Sequence, residues 1–217
     1  MSELEFNLID DNYHILPTPA GAYYAASSSK DDPSRRLLFA LMSQDSTQAL
    51  DKNQLRMWTS QNEEQDALEI LYRIQQLGWV TASAEAQDAP VGTMQEALPD
   101  ILEKLSGSER ALLSDHEGFY LAANGFSHET AEELSALSAD IASLHSRHSG
   151  LLHSNLGLSS AAWAIVDASA NGHLGFWPLY IGTERFVLVL AGIPQFNQEA
   201  YVELIWLLSK RYANAQL

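Results

Sequence analysis

Apolar positions recur along this chain in two rhythms, and the change of rhythm marks its organisation. Between residues 34 and 95 the rhythm is helical. Ser34 is placed to cap a helix with Leu37, Leu38, Leu41 and Met42 on one face. A second helix is predicted over Asp51–Ser60 with Leu55 and Trp58 inward, and a third over Glu63–Leu77 with Leu68, Leu71, Tyr72 and Leu77 as its stripe. Gly78 supplies the residue that commonly ends a helix, and the strand-like WVTASAEA follows. Residues 1–33 show neither rhythm. Pro17, Pro19, Gly21, the serine run 27–29 and Pro33 mark them as an irregular arm or a peripheral β-segment.

From residue 96 onward, two-residue and helical rhythms alternate. A short helix, Glu96–Leu105, precedes ERALLSDHEGFYLAANG (109–125), in which two short apolar runs flank an acidic, glycine-containing turn and read as a hairpin. A long helix then starts at Ser127, its N-cap, and runs to about Ser149, with Leu134, Leu137, Ile141, Leu144 and His148 at three- and four-residue spacing. Three β-runs follow: AAWAIVDA, HLGFWPLYIG and RFVLVLAG, joined at Asn171-Gly172 and at Gly182-Thr183-Glu184. A final helix, Gln198–Arg211, presents Tyr201, Leu204, Ile205 and Leu208. The order from residue 96 is α-β-β-α-β-β-β-α.

That order, with ALLSDHEGFYLAANG ahead of AEELSALSADIASLHSRHSG, resembles the Roadblock/dynein light-chain family over residues 96–217. The resemblance rests on Asp115 and Gly118 in the turn, on Ala122 and Ala123 closing the second strand, and on Ala131, Leu134, Ala136, Leu137, Ala139 and Ile141 in the helix. It implies an α+β fold: an α/β/α sandwich with a five-stranded antiparallel sheet, one long helix on one face and two on the other. It also implies a homodimer in which third strands pair and long helices pack. Members of the family regulate or scaffold small Ras-like GTPases, or sit in motor assemblies, and one bacterial homologue is a polarity protein that stimulates its partner GTPase. They do not usually catalyse chemistry themselves. The helices of residues 34–95 resemble a winged helix-turn-helix, giving three parts: arm 1–33, winged-helix-like docking domain 34–95 and Roadblock-like domain 96–217.

On this reading Trp163 and Ile165, on an apolar edge strand, and Ala139 and Ala142, small enough for close helix approach, are the candidate dimer contacts. Glu129, Glu132, Glu133 and Arg147, with Asp140, are the candidate partner-docking residues on the long helix. Arg147 would be the first suspect for an arginine finger, but a helix-terminal arginine complements the helix dipole without any such role.

Charge narrows the partners. There are 14 acidic against 6 basic residues in 1–95 and again in 96–217, so each part stands at −8. Such a chain lacks the positive field that gathers phosphates, which argues against nucleic acid and anionic membranes. The third helix of the winged-helix-like part even opens with Glu63, Glu64, Asp66 and Glu69, where DNA would have to be met. DNA binding by a transcription-linked regulator, dimerised through its Roadblock half, is therefore the alternative and not the main reading. The chain has no cysteine, which removes disulfides and thiolate chemistry and suits a reducing compartment. No apolar run is long enough to span a bilayer, and the N-terminal stretch has no secretory pattern, so a cytoplasmic location is expected.

Candidate chemistry is thin. In the cluster of His145, His148 and His153 the first two are one turn apart. A third ligand with a supporting second shell is wanted, but there is no cysteine and Asp140 is off that face, so no metal is expected. Asp115 and Glu117 are alternate residues of a turn and read as solubilising. No nucleophile elbow or phosphate-binding glycine loop occurs, so neither a cofactor nor an enzymatic activity is expected.

Overall fold

The computed structural model describes residues 5–8 and 12–213. The remaining residues of the arm, 1–4 and 9–11, lie outside the described residues. The chain forms two compact units, residues 1–91 with 197–217 and residues 92–196.

In the first unit β1 (His14–Pro17) pairs antiparallel with β2 (Val80–Ser83). Between them lie α1 (Pro19–Ala26), α2 (Pro33–Leu41), α3 (Lys52–Thr59) and α4 (Glu64–Gln76). Part of the expected arm is thus regular. Thr18 caps α1 through a bond accepted from the Gly21 amide, and Pro19 occupies the first turn, where a missing N–H costs nothing. Those residues signal a helix start as well as a turn. α2 begins before Ser34: Asp32 accepts from the Arg35 amide and Pro33 opens the helix.

Arg35 explains how this start is held. Its guanidinium donates to Ala25 O at 2.9 Å, Tyr24 O at 3.0 Å and Asp32 Oδ2 at 2.6 Å, and lies over the Tyr24 ring. Tyr24 in turn stacks on Trp79 with centroids 3.8 Å apart. α3 keeps Leu55 inward, but Thr59 and not Trp58 is its other buried residue. α4 buries Ala67, Leu68, Ile70, Leu71 and Ile74, leaving Tyr72 and Leu77 exposed. β2 leads out of α4 through Gly78, whose φ of 69° is the left-handed conformation glycine tolerates. β2 then pairs back with β1. The closing helix, α7 (Glu199–Tyr212), expected to belong with residues 96–217, falls in this first unit. It packs on α1, and its Trp206 indole donates to Gln44 O at 2.9 Å.

The second unit opens with α5 (Met94–Lys104), started by a reciprocal capping box between Thr93 and Glu96. β3 (Ala111–Ser114) and β4 (Tyr120–Asn124) form the expected hairpin. α6 (His128–Arg147) follows with Ser127 as N-cap, and a π-helical turn (Gly150–Asn155) leads on from it. β5 (Trp163–Val166), β6 (Gly172–Ile181) and β7 (Glu184–Ala191) complete a five-stranded antiparallel sheet in the order β4-β3-β7-β6-β5. The chain is therefore of mixed helix and sheet.

α6 meets the sheet with small residues. Ala131, Ser135, Ser138 and Ala142 form its buried face, against Leu112, Phe176, Val187 and Val189. The leucines at three- and four-residue spacing lie to one side of this face. Leu134 and Ile141 are half-buried at the margin of this cluster, and Leu137 is exposed. A narrow face of alanine and serine lets the helix axis come close to the strands, and polar satisfaction permits the serines there. Ser138 donates to Ser135 O at 2.7 Å and lies 2.7 Å from the buried Ser114 hydroxyl of β3.

Candidate functional site

Two outward features of the second unit, an open strand edge and a helix flank, lie on β5 and α6. β5 pairs only with β6 among the described strands, so one of its edges is open. Ile165 and Val166 on it are 51% and 54% exposed. An apolar strand with an unpaired edge is a template for a further strand. Trp163 is half-buried, and its indole donates to His145 Nδ1 of α6 at 3.1 Å, tying the strand to the helix. His145 therefore serves as an acceptor for the tryptophan. Neither the histidine nor the tryptophan signalled this partner in the sequence, since 18 residues separate them.

α6 has two different flanks. On one, Ala136 and Ala139 face the β3–β4 turn, where a methyl added at Gly118 would lie 3.3 Å from Ala136 Cα and 3.4 Å from Ala139 Cβ. The other flank carries His145 and abuts β5. At 3.6 residues per turn, Leu137 and Leu144 fall on this second side, beyond Leu134 and Ile141. The expected dimer contacts Ala142 and Ala139 lie on other sides of α6 from this flank. Ala142 is buried against its own sheet, and Ala139 is turned to its own hairpin. Trp163 and Ile165 do sit together on the open edge, and Leu137, 40% exposed, joins them in outward apolar character.

Glu129, Glu133 and Arg147 are exposed and lie, with Asp140, along one outward stripe of α6, because spacings of four and seven residues return to the same face. Glu132 is also exposed but stands off that stripe. It pairs with His128 at 3.4 Å, and the same imidazole meets the Tyr120 hydroxyl at 2.7 Å.

The groups weighed for chemistry have local duties. Asp115 accepts from the amides of Glu117 and Phe119 and so shapes the β3–β4 turn. Asp167 does the same after β5. The Asn171 side chain and amide, the Ser169 amide and His173 together hold its carboxyl below the usual carboxylate range. Burial pushes the Tyr201 phenol of α7 upward. His153 faces Leu158 O at 3.4 Å. Among the described residues no group of three histidine, aspartate or glutamate side chains is arranged to hold a metal ion, and no helix is long and apolar enough to cross a membrane. A cleft of about 240 Å³ in the first unit is lined by Gln87, Asp88, Pro90, Glu199, Val202, Glu203 and Trp206, which bring acids together without a base or nucleophile beside them.

The class of architecture is an antiparallel sheet backed by a long helix. No protein-family model matches the chain, and no curated protein matches it in sequence. Among solved structures it is similar to a Roadblock/LC7 domain from Streptomyces avermitilis, at 13% identity and a TM-score of 0.39, over 55% of this chain and 96% of that one. It is also similar to the gliding protein MglB from Thermus thermophilus, at 19% identity and a TM-score of 0.32, over 58% of this chain and 91% of that one. MglB from Myxococcus xanthus is similar at 14% identity and a TM-score of 0.32, over 56% of this chain and 88% of that one.

Proposed function

We propose that the chain is a non-enzymatic, dimeric regulator or scaffold of a small Ras-like GTPase or of a motility or polarity complex. The observation that carries the dimer is the open β5 edge with exposed Ile165 and Val166, continued by the outward leucine flank of α6. Pairing two β5 edges would extend the sheet across both copies and bury these apolar groups. The class of partner follows from the resemblance of residues 96–217 to the Roadblock family. The stripe of Glu129, Glu133, Asp140 and Arg147 offers that partner a mainly acidic face, which suits a basic patch. The helices α2, α3 and α4 serve as a winged-helix-like docking module for protein, since the acidic start of α4 opposes DNA.

Affinity purification of the tagged chain from native lysate, with mass-spectrometric identification and nucleotide analysis, tests the reading. The expected result is a Ras-like GTPase retained in one nucleotide state. Stoichiometric recovery of an unrelated protein class, with no GTPase, would overturn it. Reversing Glu129 and Glu133 to lysine should then slow association with the recovered GTPase, and an unchanged on-rate would move docking off this stripe of α6.

A further inference from the structure

Residues 5–8 alternate in burial, with Phe6 and Leu8 part-buried and Glu5 and Asn7 exposed, and Phe6 is held on α4. Their attachment has a specific form. The Phe6 amide donates to Gln65 Oε1 at 2.8 Å, and Gln65 Nε2 donates to Phe6 O at 3.0 Å. One side-chain amide thus makes both main-chain bonds that a neighbouring strand would make. The Phe6 ring meets Tyr72 with centroids 5.2 Å apart and planes tilted by 41°. Gln65, Glu69 and Tyr72 share one exposed face of α4, being four and three residues apart.

We propose that this face of α4 is a docking site for an extended peptide carrying an aromatic residue flanked by lysine or arginine, and that residues 5–8 occupy it in the resting chain. The main-chain bonds to Gln65 hold extended backbone whatever its sequence, and the aromatic contact with Tyr72 supplies selectivity. The charge argument identifies the preferred occupant. Glu5 stands immediately before Phe6, while α4 brings Glu69 to the same face and Asp66 beside it. Glu64 is already paired with Lys52 at 2.7 Å. The resident segment is therefore like-charged with its own seat, and a basic segment of the same shape would displace it.

The test uses the full-length chain carrying Phe6→Ala, which loosens the resident segment, and two fluorescein-labelled peptides, KLKFNL and ELEFNL, followed by anisotropy. The Phe6→Ala chain should bind KLKFNL saturably and at least about threefold tighter than the wild-type chain does. At low salt KLKFNL should exceed ELEFNL by about threefold or more, and the preference should shrink at high salt. Adding Gln65→Ala or Tyr72→Ala should weaken binding at least about fivefold. Both side chains are exposed, so unchanged circular dichroism will show that the helix persists. Absence of saturable binding to the Phe6→Ala chain would overturn the proposal. Binding that survives both α4 substitutions, or a preference for ELEFNL, would also overturn it.

Discussion

The orientation of α6 depends on a buried pair of hydroxyls, and a double-mutant cycle on Ser114 and Ser138 measures how much. Each hydroxyl has one proton. Ser138 donates to Ser135 O at 2.7 Å, so Ser114 is the donor in the 2.7 Å contact with Ser138, with Val187 O at 3.4 Å as its alternative acceptor. Ser138→Ala removes two bonds and leaves the Ser114 hydroxyl with only the long alternative. At roughly 1 kcal/mol per neutral bond, with Ser114 keeping its long bond to Val187 O, the expected loss is about 2 kcal/mol. Ser114→Ala leaves Ser138 satisfied through Ser135 O and should cost about 1 kcal/mol. The double variant strands no hydroxyl, so it should cost about 2 kcal/mol and not the sum of the two. Urea denaturation followed by tryptophan fluorescence gives all three values. A coupling energy near 1 kcal/mol supports the pairing, and strict additivity within about 0.3 kcal/mol would refute it.

Close packing and hydrogen bonding set three more expected outcomes. Gly21→Ala places a methyl carbon 2.1 Å from Trp79 O, where the backbone cannot yield cheaply, so a loss of about 3 kcal/mol and a melting temperature lower by about 10 °C are expected; a change under about 2 °C would contradict the close approach. Arg35→Lys should fail to rescue Arg35→Ala in thermal melts, because a single ammonium cannot reach Ala25 O, Tyr24 O and Asp32 together as the guanidinium fork does; full rescue would assign Arg35 a charge role alone. Asp167 has its folded pKa depressed chiefly by the Asn171 side chain, so its support of the β5–β6 turn is present above the ordinary carboxylate pKa and is lost as pH falls through the lower folded value. NMR titration should place that pKa below the usual carboxylate range, and Asn171→Ala should raise it; no movement in the variant would refute the assigned cause.

The parts of this fold legible in the sequence are those whose signals are local. Asp51, Ser127 and Gly78 bound helices because a cap or a left-handed residue acts within one turn. The β3–β4 hairpin and the run from β5 to β7 were legible from turn residues between apolar strands. What escaped depended on distant partners. The inward face of α6 could not be told from its leucines, because close approach to a flat sheet favours alanine and serine over bulk. The pairing of β1 with β2 spans more than sixty residues, and the place of α7 beside α1 is decided by packing and not by its own periodicity. Of the candidate site, the edge-strand residues Trp163 and Ile165 were readable as apolar positions in a strand, whereas Leu137, spaced like a core residue, faces outward. The grip of Gln65 on Phe6 carried no sequence signal, since a glutamine on an exposed helix face is ordinary.

Two copies meeting through β5 and the leucine flank of α6 form the centre of the proposed function, and sedimentation equilibrium at micromolar concentration tests this directly. The wild-type chain should sediment at twice its 24.0 kDa mass. Ile165→Lys, exposed in the single chain and so nearly neutral for its folding, should sediment as a monomer, and Leu137→Glu should weaken the dimer in the same direction. A wild-type monomer at these concentrations, or an Ile165→Lys chain that remains fully dimeric, would contradict it.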